Sequence, residues 1–264
     1  MEGSDRACAE EEDMVCLDES FFINDNYQLT TFTFGSEIVE LFCLQSASTD
    51  YDLTGQLVWP GAHLMNNYLS VNVHALQGQS IIELGSGVGV TGMLCGKHCR
   101  EILLTDHKEE VLKERLGQVA ITPESNRLLN VLKKNIELNS PSKTTICADL
   151  VAEKLEWGNT DQLSHILERY PAGFDLILGA DIYILFASFQ QASIPLLFDT
   201  VERLLRFKGG SHCKFILAYV SRAKTMDALI ISEASRHGLQ VLEVDGTRST
   251  VGNHEGVIFE MSIH

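Results

Sequence analysis

The sequence of 264 residues predicts an α/β fold: a doubly wound, mostly parallel seven-strand sheet with a C-terminal antiparallel hairpin and an N-terminal β-hairpin extension. Three observations predict it. First, Ile81-Ile82-Glu83-Leu84 breaks into Gly85-Ser86-Gly87-Val88-Gly89 and resumes as the helical Val90-Thr91-Gly92-Met93-Leu94, a strand, glycine turn and helix. Beyond it, β-rich runs alternate with segments of helical spacing, the pattern of a sheet covered on both faces. Finally, the last two strand-like runs have no helix between them, so they pair antiparallel.

Taken in order, residues 1–18 include Glu10-Glu11-Glu12-Asp13 and offer nothing that packs, so a disordered acidic lead is expected. Residues 19–264 are read as a single domain, with 19–60 a β extension and 61–264 the Rossmann-like core. In the extension, Gln28 to Phe34 and Ile38 to Leu44 flank Gly35-Ser36 as a hairpin. Gln56 to Gly61 then leads into a segment with Leu64, Met65, Tyr68 and Leu69 at helical spacing, and Pro60 suits its first turn. After the glycine turn come strand Glu101 to Asp106, helix Leu128 to Leu138, strand Thr144 to Leu150, helix Asp161 to Tyr170 and strand Phe174 to Ile182. Helix Ile194 to Phe207 stops at Gly209-Gly210. Strand Lys214 to Val220, helix Thr225 to His237 and the closing strands Leu239 to Asp245 and Val257 to Ile263 complete the chain.

Composition narrows the function. With 36 acidic against 20 basic residues the net charge is −16, which argues against a phosphate-backbone partner, because nucleic-acid affinity rests largely on Lys and Arg. A basic protein segment is drawn in instead, although acidity also serves plain solubility. Seven cysteines without regular disulfide spacing suit a reducing compartment. Cys95 and Cys99, one helical turn apart with no second cysteine pair, are read as packing, and no metal is implied. The N-terminus lacks the basic start and apolar run of a signal peptide, and no uncharged apolar stretch is long enough to span a bilayer. A cytoplasmic monomer without a membrane partner is expected.

The chemistry centres on the glycine turn. Gly87, Gly89 and Gly92 fit G-x-G-x-x-G, a weak signal by itself. Glu83, two positions before Gly85, is the discriminating residue: a carboxylate repels a pyrophosphate but welcomes an ammonium group or ribose hydroxyls. S-adenosyl-L-methionine carries both and no phosphate, so it is favoured over a dinucleotide. Asp106 ends the second core strand, where an acid accepts ribose hydroxyls of either cofactor. Asp149, read as closing the third, is a candidate for adenine or a turn residue. Trp157, in Leu155-Glu156-Trp157-Gly158, lies near the same rim, where an indole stacks on adenine or packs in the core. By residue type alone both Trp157 and Trp59 are read as packing. Gly179-Ala180-Asp181-Ile182-Tyr183 ends the fourth strand, where Ala180 leaves room for the cofactor. In an extended segment Asp181 and Tyr183 face the same way, and their burial without partners would be costly, so they are candidate catalytic groups.

Together, Gln56 to Pro60, Glu83 to Gly89, Asp106, Leu155 to Gly158 and Gly179 to Tyr183 resemble the class I, seven-strand S-adenosylmethionine-dependent methyltransferases, and within them the methyltransferase-like 21 family of protein-lysine methyltransferases. The resemblance covers roughly residues 25 to 264. It implies that Trp59, Gly85, Ser86, Gly87, Asp106, Trp157 and Ala180 contact the cofactor, which reverses the packing reading of both tryptophans. It also implies a protein substrate with an accessible lysine, with Asp181 binding and orienting the amine. Small-molecule methylation and non-catalytic cofactor binding are the competing readings, since a fold does not choose its acceptor. The sequence departs from the family in two places. The usual Asp-x-x-Tyr after the fourth strand is here Asp181-Ile182-Tyr183, and Lys113 to Arg127 and Phe189-Gln190-Gln191 look like additions.

Overall fold

Ile81 and Ile82, like Ile216 and Leu217, are chain neighbours that point to opposite faces of a sheet, yet all four are buried. Such strands need cover on both sides. The computed structural model, which describes residues 27–45, 55–107, 127–139, 149–182, 187–207 and 212–263, supplies it. Strands β1 (Tyr27–Phe34) and β2 (Glu37–Leu44) precede helix α1 (Pro60–Val71), β3 (Ser80–Leu84), α2 (Val90–Cys95) and β4 (Glu101–Asp106). Next are α3 (Arg127–Asn139), β5 (Asp149–Lys154), α4 (Thr160–Arg169), β6 (Leu176–Ala180), α5 (Ala187–Arg206) and β7 (Lys214–Val220). The chain then runs through α6 (Lys224–Arg236), β8 (Leu239–Glu243), β9 (Ser249–Val251) and β10 (His254–Ile263).

The main sheet is ordered β5-β4-β3-β6-β7-β10-β8, with β9 beside β10. From β5 to β7 it is parallel, while β10 runs antiparallel to both β7 and β8, as expected of the closing pair. On one face Ile82, Leu103, Ile177 and Phe215 pack with Leu163, Phe198, Val201 and Ile230 of α4, α5 and α6. On the other, Ile81, Ile102, Leu178 and Ile216 pack with Leu41 of β2, Met65 of α1, Met93 of α2 and Leu132 of α3. The chain leaves β3 toward β4 and β5, then returns to β6 on β3's other side. A crevice opens where the direction reverses, so the carboxyl ends of β3 and β6 are where a ligand belongs.

Three boundaries differ from expectation. The third core strand runs on past Asp149 to Lys154 instead of closing there, with the expected residues 144–148 outside the described ones, and Asp149 pairs in register with Glu101 at the amino end of β4. Asp149 therefore lies on the sheet edge away from the crevice and is withdrawn as an adenine contact. Among the described residues helix α5 starts at Ala187, before the expected Ile194, and carries Pro195 inside it although a proline there removes an interior hydrogen bond. The short β9 was not anticipated. The lead at 1–18 and the stretch from 108 to 126, which holds most of the Lys113 to Arg127 addition, lie outside the described residues, whereas Phe189 to Gln191 fall within α5.

The hairpin closes through a two-residue turn at Gly35-Ser36, with Phe34 opposite Glu37 and Gly35 at φ +58°. Its β2 edge meets a side chain instead of another strand. The Phe42 N–H donates to Asn135 Oδ1 at 2.8 Å, and Asn135 Nδ2 donates to the Phe42 carbonyl at 3.1 Å and to the Val88 carbonyl at 2.9 Å. One fully buried amide thus joins hairpin, α3 and glycine turn. Asn135→Ala deprives three backbone groups of this partner, and at about 1–3 kcal/mol for each buried group left unpaired, partly relieved by relaxation, a loss of about 2–4 kcal/mol is expected in urea unfolding. A loss below about 0.5 kcal/mol would show that the amide is not the connector.

Candidate active site

At the carboxyl end of β3 the chain bends through Gly85, Gly87 and Gly89, at φ +67°, +54° and +88°. The bend is sewn to β4. Ser86 N–H donates to the Thr105 carbonyl at 2.9 Å, Thr105 N–H to Ser86 Oγ at 3.1 Å, and Thr105 Oγ1 to the Glu83 carbonyl at 2.7 Å. The Ser86 hydroxyl and backbone are thus taken up by the turn itself, the Ser86 carbonyl accepting from the Gly89 N–H at 2.8 Å. A Cβ on Gly87 would sit 2.6 Å from the Gly55 carbonyl oxygen, so glycine is needed for both φ and space. Gly89 differs: its Cβ would strike Leu132 Cδ1 at 2.4 Å, so the packing of α3 also requires a glycine there.

Two carboxylates belong to this turn. Asp106, nearly buried at the end of β4, accepts the Gly87 N–H on Oδ2 at 2.7 Å and the His107 N–H on Oδ1 at 2.8 Å. Oδ1 also faces His107 Nδ1 at 2.9 Å, whereas Oδ2 keeps a lone pair for a hydroxyl. Glu83 is buried under the N-terminal end of α2, and its Oε2 has no hydrogen-bond partner. Burial pushes its pKa up to about 8, against the lowering pull of the Ser86 and Thr91 hydroxyls and the Gly92 N–H. The turn therefore offers acceptors: an orphaned buried oxygen for an ammonium group, and a carboxylate for ribose hydroxyls. That donor-seeking set fits S-adenosylmethionine and is mismatched to a pyrophosphate.

Beside the turn, the Leu155 N–H donates to the Asp106 carbonyl at 2.9 Å and brings the Trp157 loop to the same edge. That loop is pinned on both sides of the indole. The Glu156 N–H donates to Gln162 Oε1 and the Gly158 N–H to Thr200 Oγ1, each at 2.8 Å. Trp157 Cζ2 lies 3.5 Å from where a Cβ on Gly85 would be, and Ile182 Cγ2 lies 2.8 Å from it. Trp157 is thus brought to Gly85 at the expected rim, Ile182 joins them there, and Ala180 ends β6.

Asp181 departs from its expected pose. Its φ is +54°, the one positive value at a non-glycine among the described residues, so the strand's alternation ends there and no longer fixes where Tyr183 points. Tyr183 itself lies outside the described residues. The Asp181 carboxylate is buried and committed: Arg222 Nη1 and Nη2 donate to Oδ1 and Oδ2 at 2.7 and 2.8 Å, and the Gly61 N–H donates to Oδ2 at 2.8 Å. Direct contact between this carboxylate and an acceptor amine is corrected accordingly. Arg222, not singled out in the sequence, also lies over the Trp59 ring, 5.8 Å from its centroid. The available signal was an arginine just past β7, whose residues after Lys214 are all buried, beside β6. On another side of Trp59 is a cavity of about 390 Å³, lined by Thr30, Phe32, Cys43, Leu57 and Val58 among others. It adjoins the crevice without containing the glycine turn.

Comparison with known proteins agrees with this architecture. A family model described as lysine methyltransferase matches residues 43–236. Protein N-lysine methyltransferase METTL21A of Mus musculus is 31% identical over 160 residues, 60% of this chain and 59% of that protein. EEF1A lysine methyltransferase 3 of Mus musculus is 30% identical, covering 63% of this chain and 56% of its own. Protein-lysine N-methyltransferase EFM3 of Chaetomium thermophilum is 26% identical, covering 81% and 57%. The chain thus spans under three fifths of the length of these relatives.

The buried Glu83 makes stability depend on pH. Below 4.5 its carboxyl is protonated in folded and unfolded chains alike; from 4.5 to about 8 the folded chain retains a proton that the unfolded chain has lost. Stability from this group therefore falls as pH rises through that window, by up to about 1.4 kcal/mol per unit, and levels off above it. In ligand-free urea unfolding from pH 5.5 to 9, Glu83→Gln is expected to flatten this slope. Equal slopes in variant and parent would remove Glu83 as its source.

Proposed function

Because the chain belongs to the lysine methyltransferase family, we propose that it transfers a methyl group from S-adenosyl-L-methionine to the side-chain amine of a lysine in a protein substrate. The observation that carries the reading is the acceptor-lined turn: a Glu83 oxygen without a partner on β3, the Asp106 carboxylate holding Gly87, and Trp157 against Gly85. The net charge of −16 favours a basic protein segment as the partner and disfavours nucleic acid. No helix among the described residues is long and apolar enough to cross a membrane.

In this reading Glu83 holds the cofactor's ammonium group, Asp106 its ribose, and the backbone of Gly85 to Gly87 the floor beneath it. Trp157 covers the adenine, and Trp59 and Ala180 border the methyl. When bound, the cofactor supplies an activated methyl on a sulfonium. The protein's remaining work is to align a neutral amine with it. A lysine of pKa ~10.4 must first lose a proton, at a cost near pH 7 of about 4.6 kcal/mol. A bare carboxylate would raise that cost by holding the ammonium. Asp181 is not bare, since Arg222 neutralises it. The crevice thus strips water from the amine without trapping its charged form, and the proton leaves to solvent.

Tritiated S-adenosylmethionine incubated with the protein and a cell extract should place label in protein bands; label in small molecules alone would redirect the reading to a small-molecule acceptor. Asp106→Asn should weaken S-adenosylhomocysteine binding by about 1.5–3 kcal/mol in calorimetry, the scale of a hydrogen bond to a charge. Gly87→Val should abolish it, because Cβ would meet the Gly55 carbonyl. Undiminished affinity in folded Gly87→Val would mean that the cofactor lies elsewhere.

A further inference from the structure

We propose that Arg222 is a positioning residue for methyl transfer: it locks the Asp181 carboxylate and the Trp59 indole into one unit that sets the acceptor side of the crevice. The inference rests on the methyl-transfer reading above and adds a residue to it. Arg222 follows β7 by two positions, and β7 pairs with β6 through Ala180 and Ala218. The two strand ends therefore deliver Asp181 and Arg222 to each other across 41 residues of sequence. The fork is two-pronged, at 2.7 and 2.8 Å, which fixes the plane of the guanidinium as well as its position. The guanidinium carbon so placed lies over the Trp59 ring, 5.8 Å from its centroid.

The same carboxylate reaches α1. Gly61, in the first turn of α1, donates its N–H to Asp181, and a Cβ on Gly61 would sit 2.6 Å from Asp181 Cβ. Trp59 is the residue that caps this helix. Arg222 and Asp181 thus hold the indole from two directions, through its ring face and through the backbone two residues on. The cavity of about 390 Å³ bordering Trp59 leaves room for the ring to shift if this hold is lost. A lysine cannot replace the arginine here, because an ammonium provides neither the fork nor the flat face. Trp59 borders the methyl in the proposed function, so a shifted indole misaligns the acceptor while the turn that binds the cofactor is untouched.

Three readouts test this on the full chain: S-adenosylhomocysteine affinity, transfer of tritiated methyl into extract protein, and Trp59 emission in a Trp157→Phe background. Arg222→Lys and Arg222→Gln should keep the affinity within about threefold, lower transfer at least tenfold at saturating cofactor, and shift Trp59 emission. Since removing one member leaves a buried charge unpaired, Asp181→Asn with Arg222→Gln provides a variant without that defect. If the pair acts as a unit, the double variant transfers about as slowly as the worse single one, with no multiplication of losses. Transfer within twofold of the parent, or unchanged Trp59 emission, in a folded double variant would overturn the proposal. So would an affinity loss equal to the rate loss, which would assign Arg222 to the cofactor. If the parent chain labels no protein, the methyl-transfer reading fails by itself, whereas emission and affinity still report whether Arg222 holds Trp59.

Discussion

A strand-end carboxylate bonded to the N–H of a glycine occurs twice at this crevice, and the site depends on both. Asp106 at the end of β4 holds Gly87, and Asp181 just past β6 holds Gly61. A carboxylate with little access to water must find donors, and backbone amides of loops at the same sheet edge are the nearest available. The acids therefore fix the loops as much as the loops surround the acids. Each glycine is required by the resulting closeness, to the Gly55 carbonyl in one case and to Asp181 Cβ in the other.

The two acids differ in what remains to them. Asp106 is met by two backbone amides and the His107 ring nitrogen, and its Oδ2 keeps a lone pair, which suits a ligand's hydroxyl. Asp181 is met by a guanidinium in addition and is neutralised in place. Glu83 is a third case, buried with one oxygen lacking a donor and left largely protonated at neutral pH until a cation satisfies it. Three carboxyl groups at one sheet edge thus act differently because their donors differ: one accepts, one anchors, and one waits for a charge. The residue at φ +54° is the anchor, and the strain of that backbone, on the order of 1–2 kcal/mol, is offset by the bonds it permits.

Much of this was legible in the sequence where periodicity or glycine spoke. The strand into Gly85, the paired closing strands and the turn at Gly35-Ser36 all follow from local pattern. Asp149 was misplaced because β5 is an edge strand, Asp-Leu-Val-Ala-Glu-Lys, with charges along it. The preceding apolar run looked the more strand-like, and an acid near its end resembled a strand terminus. The pose of Asp181 was not legible, since alternation presumes an extended chain and a single left-handed residue ends it. Arg222 was missed because its partner is fixed by strand order, which places β7 beside β6 only once the sheet is assembled. Gly89 shows the same limit: a motif position identifies a glycine without telling which neighbour, ligand or helix, requires it.

The central claim is that the acceptor is a lysine amine, which the crevice strips of water without stabilising its charge. Acid hydrolysis of the protein labelled by tritiated S-adenosylmethionine, followed by separation of the amino acids, tests it most directly. Label migrating with methylated lysine is the predicted result. Label in methylarginine or methylhistidine, or released by mild alkali as a carboxyl methyl ester, would contradict the account.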